Sequence, residues 1–179
     1  MSQFQDSVYP NPISDLSGKE IRALKSADLV RLGKESLRDH LVGMAGLAHV
    51  RHAALQGDSL YAFLSDPDFV RYPVRLAFER GSMSPHQFAQ PEKDPNSVSP
   101  AYLLYLHPRI RDEALFIRQA IAYYMPIINF GDMVTEDLAI LYGATLMGMP
   151  ENSFYTALCE IADAVGASAC FSGETHRMV

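Results

Sequence analysis

Three side chains flank a proline-rich stretch in an arrangement that could hold a metal or move a proton: Glu79, His86 and His107. Two imidazoles and one carboxylate match the ligand set of a facial triad with open coordination positions, which suits a divalent transition metal. The same groups could form an acid–base pair, because an imidazole titrates near neutral pH and a carboxylate can orient it. Glu79 ends a run, Tyr72 to Glu79, whose apolar residues alternate as in a half-buried strand. His107 ends a second apolar run, Ala101 to Leu106, bounded by Pro100 and Pro108. Paired as an antiparallel ribbon, the two runs would leave Glu79 and His107 at opposite ends, which works against a shared site. Anchoring of the intervening loop by hydrogen bonds is the plainer role for all three.

Other sets are weaker. His49 and His52 stand three apart on the longest helical pattern, a spacing that can share one metal. No carboxylate stands four residues from either, and His40 falls about 180° away around the helix. A polar edge or a helix–helix hydrogen bond is the simpler assignment. Arg71, Arg75 and Arg80, with Arg109 and Arg111, could face an anionic ligand, although a solvated strand face accounts for them as well. Tyrosine and methionine crowd the C-terminal half, including Tyr102, Tyr105, Tyr123, Tyr124 and Met125. Such side chains fill cores, interfaces and greasy ligand sites alike. From these sets Arg80, His86 and Tyr105 are the expected binding residues, and Glu79, His86 and His107 the expected metal ligands. No GxGxxG, GxxxxGK[ST], HExxH, GxSxG or DxDxDG pattern is present, which removes the commonest nucleotide, zincin, hydrolase and calcium signatures.

Composition bounds what such residues can be asked to do. A chain of 179 residues with 48% apolar and 20% charged side chains can bury a core without disulfides or metal. A net charge of -6 argues against binding a nucleic-acid backbone. Cys159 and Cys170 lie too far apart for a zinc knuckle or a redox pair, and Cys159 is expected in the core. The most apolar window, Leu115 to Ile128, is interrupted by Arg118 and Gln119 and falls short of the roughly 20 apolar residues of a membrane span. No signal-peptide pattern opens the chain, so a cytoplasmic, reduced protein is expected.

The elements that must position these residues are mostly helical. Residues 1–16 read as an extended arm, and Ser17-Gly18-Lys19-Glu20 has the capping-box pattern of a short helix. Ser26-Ala27-Asp28 opens another segment, broken or kinked at Gly33. Leu37, Leu41, Met44, Ala45, Ala48 and His52 recur at helical steps within a helix expected over Lys34 to Gln56. Its Gly43, Ala45, Gly46 and Ala48 leave a smooth surface for a neighbouring helix. A short helix is expected between Tyr61 and Phe69, broken at Asp66-Pro67. Gly81 to Pro100, with four prolines, reads as a loop without regular structure. Beyond Arg109, Ile110, Ala114, Ile117, Ile121 and Tyr124 line one helix face up to Pro126, and residues 129–132 read as a turn. Thr135 caps a further helix, which breaks at Gly148-Met149-Pro150, and a last helix ends at Gly166.

The helix–Gly-Met-Pro–helix unit from Thr135 to Val165 resembles the helical hairpins of carboxymuconolactone decarboxylase and alkylhydroperoxidase proteins. It lacks the CxxC of the peroxidase-type members, so the resemblance implies a hairpin and no chemistry.

The expected fold is therefore mainly α: one bundle-like domain over residues 17–170 with a small two-stranded ribbon (an all-α chain being the alternative), and a tail at 171–179. The expected function is a binding or assembly protein. It would act as a homodimer through a Tyr/Met-bearing helical face, or through a small-molecule or protein partner at the 81–100 loop, with no nucleic acid and no membrane. A metal-dependent enzyme using Glu79, His86 and His107 is the competing reading.

Overall fold

A computed structural model describes residues 25–84 and 87–166. The N-terminal arm, the Ser17 capping box, His86, Cys170 and the C-terminal tail lie outside the described residues.

Apolar residues at helical spacing build most of the domain. Its helices are α1 (Ser26–Arg51), α2 (Ser59–Leu64), α3 (Ala114–Phe130), α4 (Glu136–Met147) and α5 (Glu151–Gly166). The α4 sequence is apolar around its whole circumference, as a helix must be when it is covered on several sides. α1, α3 and α5 all pack on it, and Tyr142 and Leu146 are fully buried there. The mainly α expectation is met. α1 is one uninterrupted helix across Gly33, which meets only open space and forces no kink. Ala45 and Ala48 face α4 as a smooth surface should, whereas Gly46 points away from any neighbour.

α1 stops at Arg51 and does not reach Gln56. Ala53, Ala54 and Leu55 wind left-handed, with φ of 45°, 52° and 61°. This conformation costs roughly 1–2 kcal/mol per L-residue. Burial of Ala54 and Leu55 holds the turn against that cost. α3 runs through Pro126 to Phe130, beyond the expected end. The last residues of α3 stay helical, and Asn129 anchors them: its Nδ2 donates to the Phe69 carbonyl at 2.7 Å and its Oδ1 accepts from Arg71 N at 2.9 Å.

The β part differs from a two-stranded antiparallel ribbon. Three strands, β1 (Val74–Ala77), β2 (Ala89–Lys93) and β3 (Tyr102–Leu106), form a sheet in the order β1-β3-β2. β1 and β3 are parallel, and β2 is antiparallel to β3. The expected loop at 81–100 thus contains a strand, despite Pro91. The edge position explains how proline is tolerated. His107 donates to the Phe88 carbonyl and Asp94 to the Ala101 carbonyl, so residues 88 and 94 face β3 and Pro91 faces outward. Leu104, Leu106 and Ala89 point inward onto α3 and are fully buried.

Candidate functional site

Parallel pairing decides the geometry of the predicted site. Strand ends that an antiparallel ribbon would separate are brought to one rim, so the residues following β1 (Glu79, Arg80) and β3 (His107, Arg109) emerge together. Glu79 and Arg80 are exposed there, whereas His107 is 6% exposed. Tyr105 lies on the outer sheet face, paired with Ala77 and Gln90. The chain leaving β1 crosses above it. A β-carbon at Gly81 would stand 3.3 Å from the Tyr105 ring, and Gly81 has φ +49°, so both contact and conformation favour glycine. Ser82 accepts from Gln90 Nε2 at 3.0 Å and donates to Glu92, tying this crossing to β2. Tyr105 is therefore a packing seat for the crossing.

At the rim Arg80, Arg109 and Arg111 outnumber the Glu79 carboxylate. His107 Nδ1 accepts the Arg109 backbone N–H at 3.3 Å, which leaves the ring proton on Nε2. Burial, then the Arg80 and Arg109 charges, push the His107 imidazole below its ordinary value, so it is held neutral. The Arg109 guanidinium donates to the Ala164 carbonyl at 2.9 Å near the end of α5, and Arg111 donates to the Phe78 carbonyl at 3.2 Å while covering the Phe78 ring. Two guanidiniums beside a neutral imidazole oppose a bound cation and favour an anion. Among the described residues no group of three His, Cys, Asp or Glu side chains is placed to hold a metal; His86, the third expected ligand, lies outside them.

The five arginines divide between the two ends of the sheet. Arg71 lies over Tyr72, and Arg75 pairs with Asp94, away from the rim. The tyrosine- and methionine-rich set is divided: Tyr102, Tyr105, Tyr123, Tyr124, Met147 and Met149 are half-buried and Met133 is exposed. Tyr142 and Met125 are fully buried, and Phe88 packs edge-on against Tyr123 and Tyr124. Burial, with Tyr123 beside it, pushes the Tyr124 phenol up to about 12. The exposed apolar side chains include Leu47 and Val50 of α1, 61% and 81% exposed. Cys159, expected in the core, is exposed.

His49 and His52 do not act as a pair. His49 Nδ1 donates to the Leu146 carbonyl at 3.0 Å, the expected helix–helix bond, and its ring covers Gly148 at the end of α4. His52 is 6% exposed and bonds through Nε2 to Asp66 Oδ2 at 2.9 Å, between the rings of Phe63 and Phe69. Arg51 reaches Asp66 at 3.1 Å and Asp68 at 2.6 Å. Burial alone would raise the Asp66 carboxyl, but the Asp68 amide, His52 and Arg51 outweigh it and hold it below its usual range. The cluster adjoins the left-handed turn, whose Leu55 amide donates to the His52 carbonyl at 2.8 Å.

In front of the turn is a cleft that sequence reading missed. About 430 Å³ in volume, it lies between the 55–57 turn, α2, β1 and the start of α3. The residues that form it are distant in sequence. The one local signal, three non-glycine residues in the left-handed region, has no sequence signature at Ala-Ala-Leu.

No family model, curated protein or solved structure matches this chain. Among the described residues no helix is long and apolar enough to cross a membrane.

Proposed function

We propose that this chain is a non-catalytic binding protein that takes the anionic group of a partner, a phosphate or carboxylate, at the β1/β3 rim. The observation that carries the reading is the neutral, nearly buried His107 set beside Arg80 and Arg109 on a chain of net charge -6. An excess of arginine over the single Glu79 carboxylate at this rim, on an acidic protein, favours anions here over the rest of the surface. His107 offers an Nε2–H donor without its own charge, and the arginines supply the charge. Calorimetric titration with inorganic pyrophosphate tests this. Saturable, salt-sensitive binding that weakens in both Arg80→Ala and Arg109→Ala supports it, and its absence removes it.

The metal-dependent reading draws support from one observation, that parallel pairing places Glu79 and His107 at the same rim. Elemental analysis of protein purified without added metal is its test. Stoichiometric iron, zinc or manganese, lost in His86→Ala, would establish this reading in place of anion binding. For self-association, Leu47 and Val50 of α1, which stand in solvent, support a second face beside the half-buried Tyr/Met set. Sedimentation velocity of Val50→Lys against the parent reads it: a dimer converted to monomer supports it, and a monomeric parent removes it.

A further inference from the structure

β1 leaves one row of backbone groups unused. Tyr102 donates to the Pro73 carbonyl, so residues 73, 75 and 77 turn their backbone toward β3, and Val74, Leu76 and Phe78 turn theirs outward. Arg111 occupies the Phe78 carbonyl at 3.2 Å. Among the described residues no strand lies on that edge, and no turn, loop or side-chain hydrogen bond uses the backbone groups of Val74 or Leu76.

The apolar cleft opens beside this row. Leu55, Leu60, Leu76, Phe78 and Ile117 form its walls, and about 430 Å³ lies within the roughly 300–1,000 Å³ typical of ligand sites. Arg118 is the one charged residue lining it. Its Nε donates to the Ala114 carbonyl of its own helix at 3.3 Å. Among the described residues no carboxylate pairs with it.

We propose that β1 and this cleft together bind the carboxyl terminus of an extended peptide. The peptide adds as a strand to Val74 and Leu76, seats its terminal apolar side chain in the cleft and sets its carboxylate against Arg118. A chain terminus is the occupant that meets all three features, because there backbone, side chain and carboxylate lie within one residue. A small fatty carboxylate would leave the edge row unmet, and a second copy's β1 would leave Arg118 unmet. The cleft adjoins the rim at Phe78, which Arg111 covers, but peptide binding here rests on Arg118 and the β1 edge and does not depend on the anion reading.

The test is titration of the isotopically labelled full chain with a pentapeptide that alternates valine and threonine and ends in leucine. Saturating amide shifts are expected at 74–78 and 55–57. Amidating the peptide terminus, or Arg118→Gln in a variant of unchanged melting temperature, is expected to weaken binding about tenfold. N-methylation of alternate peptide amides is expected to abolish it. No saturable shift at millimolar peptide, equal affinity for acid and amide, or indifference to N-methylation would each overturn the proposal. So would octanoate saturating the cleft without displacing, or being displaced by, the peptide.

Discussion

Gly143 of α4 lies flat against the ring of Phe154 in α5: a β-carbon at position 143 would stand 2.3 Å from Phe154 Cζ. The two helices can approach this closely because one of them has no side chain at the crossing. Gly143→Ala gains helix propensity of up to about 1 kcal/mol but overpacks a filled interior, which costs about 1–3 kcal/mol. Net destabilisation is expected by urea unfolding. Adding Phe154→Leu should recover part of it; an alanine variant as stable as the parent would mean the helices separate freely.

Ala53 is exposed and holds φ +45°. Glycine there relieves roughly 1–2 kcal/mol of left-handed strain and loses roughly 0.5–1 kcal/mol through the freer unfolded chain. Ala53→Gly should therefore raise the thermal midpoint slightly. A clear drop would show that the turn is not strained.

The His52–Asp66 bond is sheltered by two phenylalanine rings, so its loss leaves a nearly buried partner unmet. Asp66→Asn is expected to cost about 1–3 kcal/mol. In a double-mutant cycle with His52→Gln, the combined loss should be smaller than the sum of the single losses. Strict additivity would show that the two side chains act independently.

His107 sets the sign of a pH effect. Its imidazole titrates below the ordinary value in the folded protein because burial and then Arg80 and Arg109 disfavour the cation. The unfolded chain takes up the proton first as pH falls, so the stability from this group is complete above about pH 6.5. It declines as pH drops toward the folded value. His107→Gln keeps an acceptor for the Arg109 amide and should flatten that limb of the stability–pH curve. An unchanged limb would assign it to other groups.

The helical body was legible because its signal is local and periodic: Leu41, Ala45 and Ala48 repeat at the steps that one buried face requires. Strand partners were not legible. The Tyr72–Glu79 and Ala101–Leu106 runs state that each is half-buried, but nothing in either says whether it pairs in parallel. Pro91 argued against a strand, and a register that turns the position of its missing N–H outward removes the objection. Of the site, the residue types at 79, 80 and 107 were readable, and their convergence was not, because it follows from pairing direction. The apolar cleft was invisible for the same reason: Leu55, Leu76 and Ile117 meet only after the chain has folded.

Pro91 has one more effect. At the outer margin of β2 its ring stands where an incoming strand would need a donor, while β1's margin remains open. Residues 89, 91 and 93 turn their backbone to this margin, and proline removes one of their three donors. Sheet extension is therefore weaker at β2 than at β1, which disfavours edge-on-edge stacking of copies into an open-ended fibre.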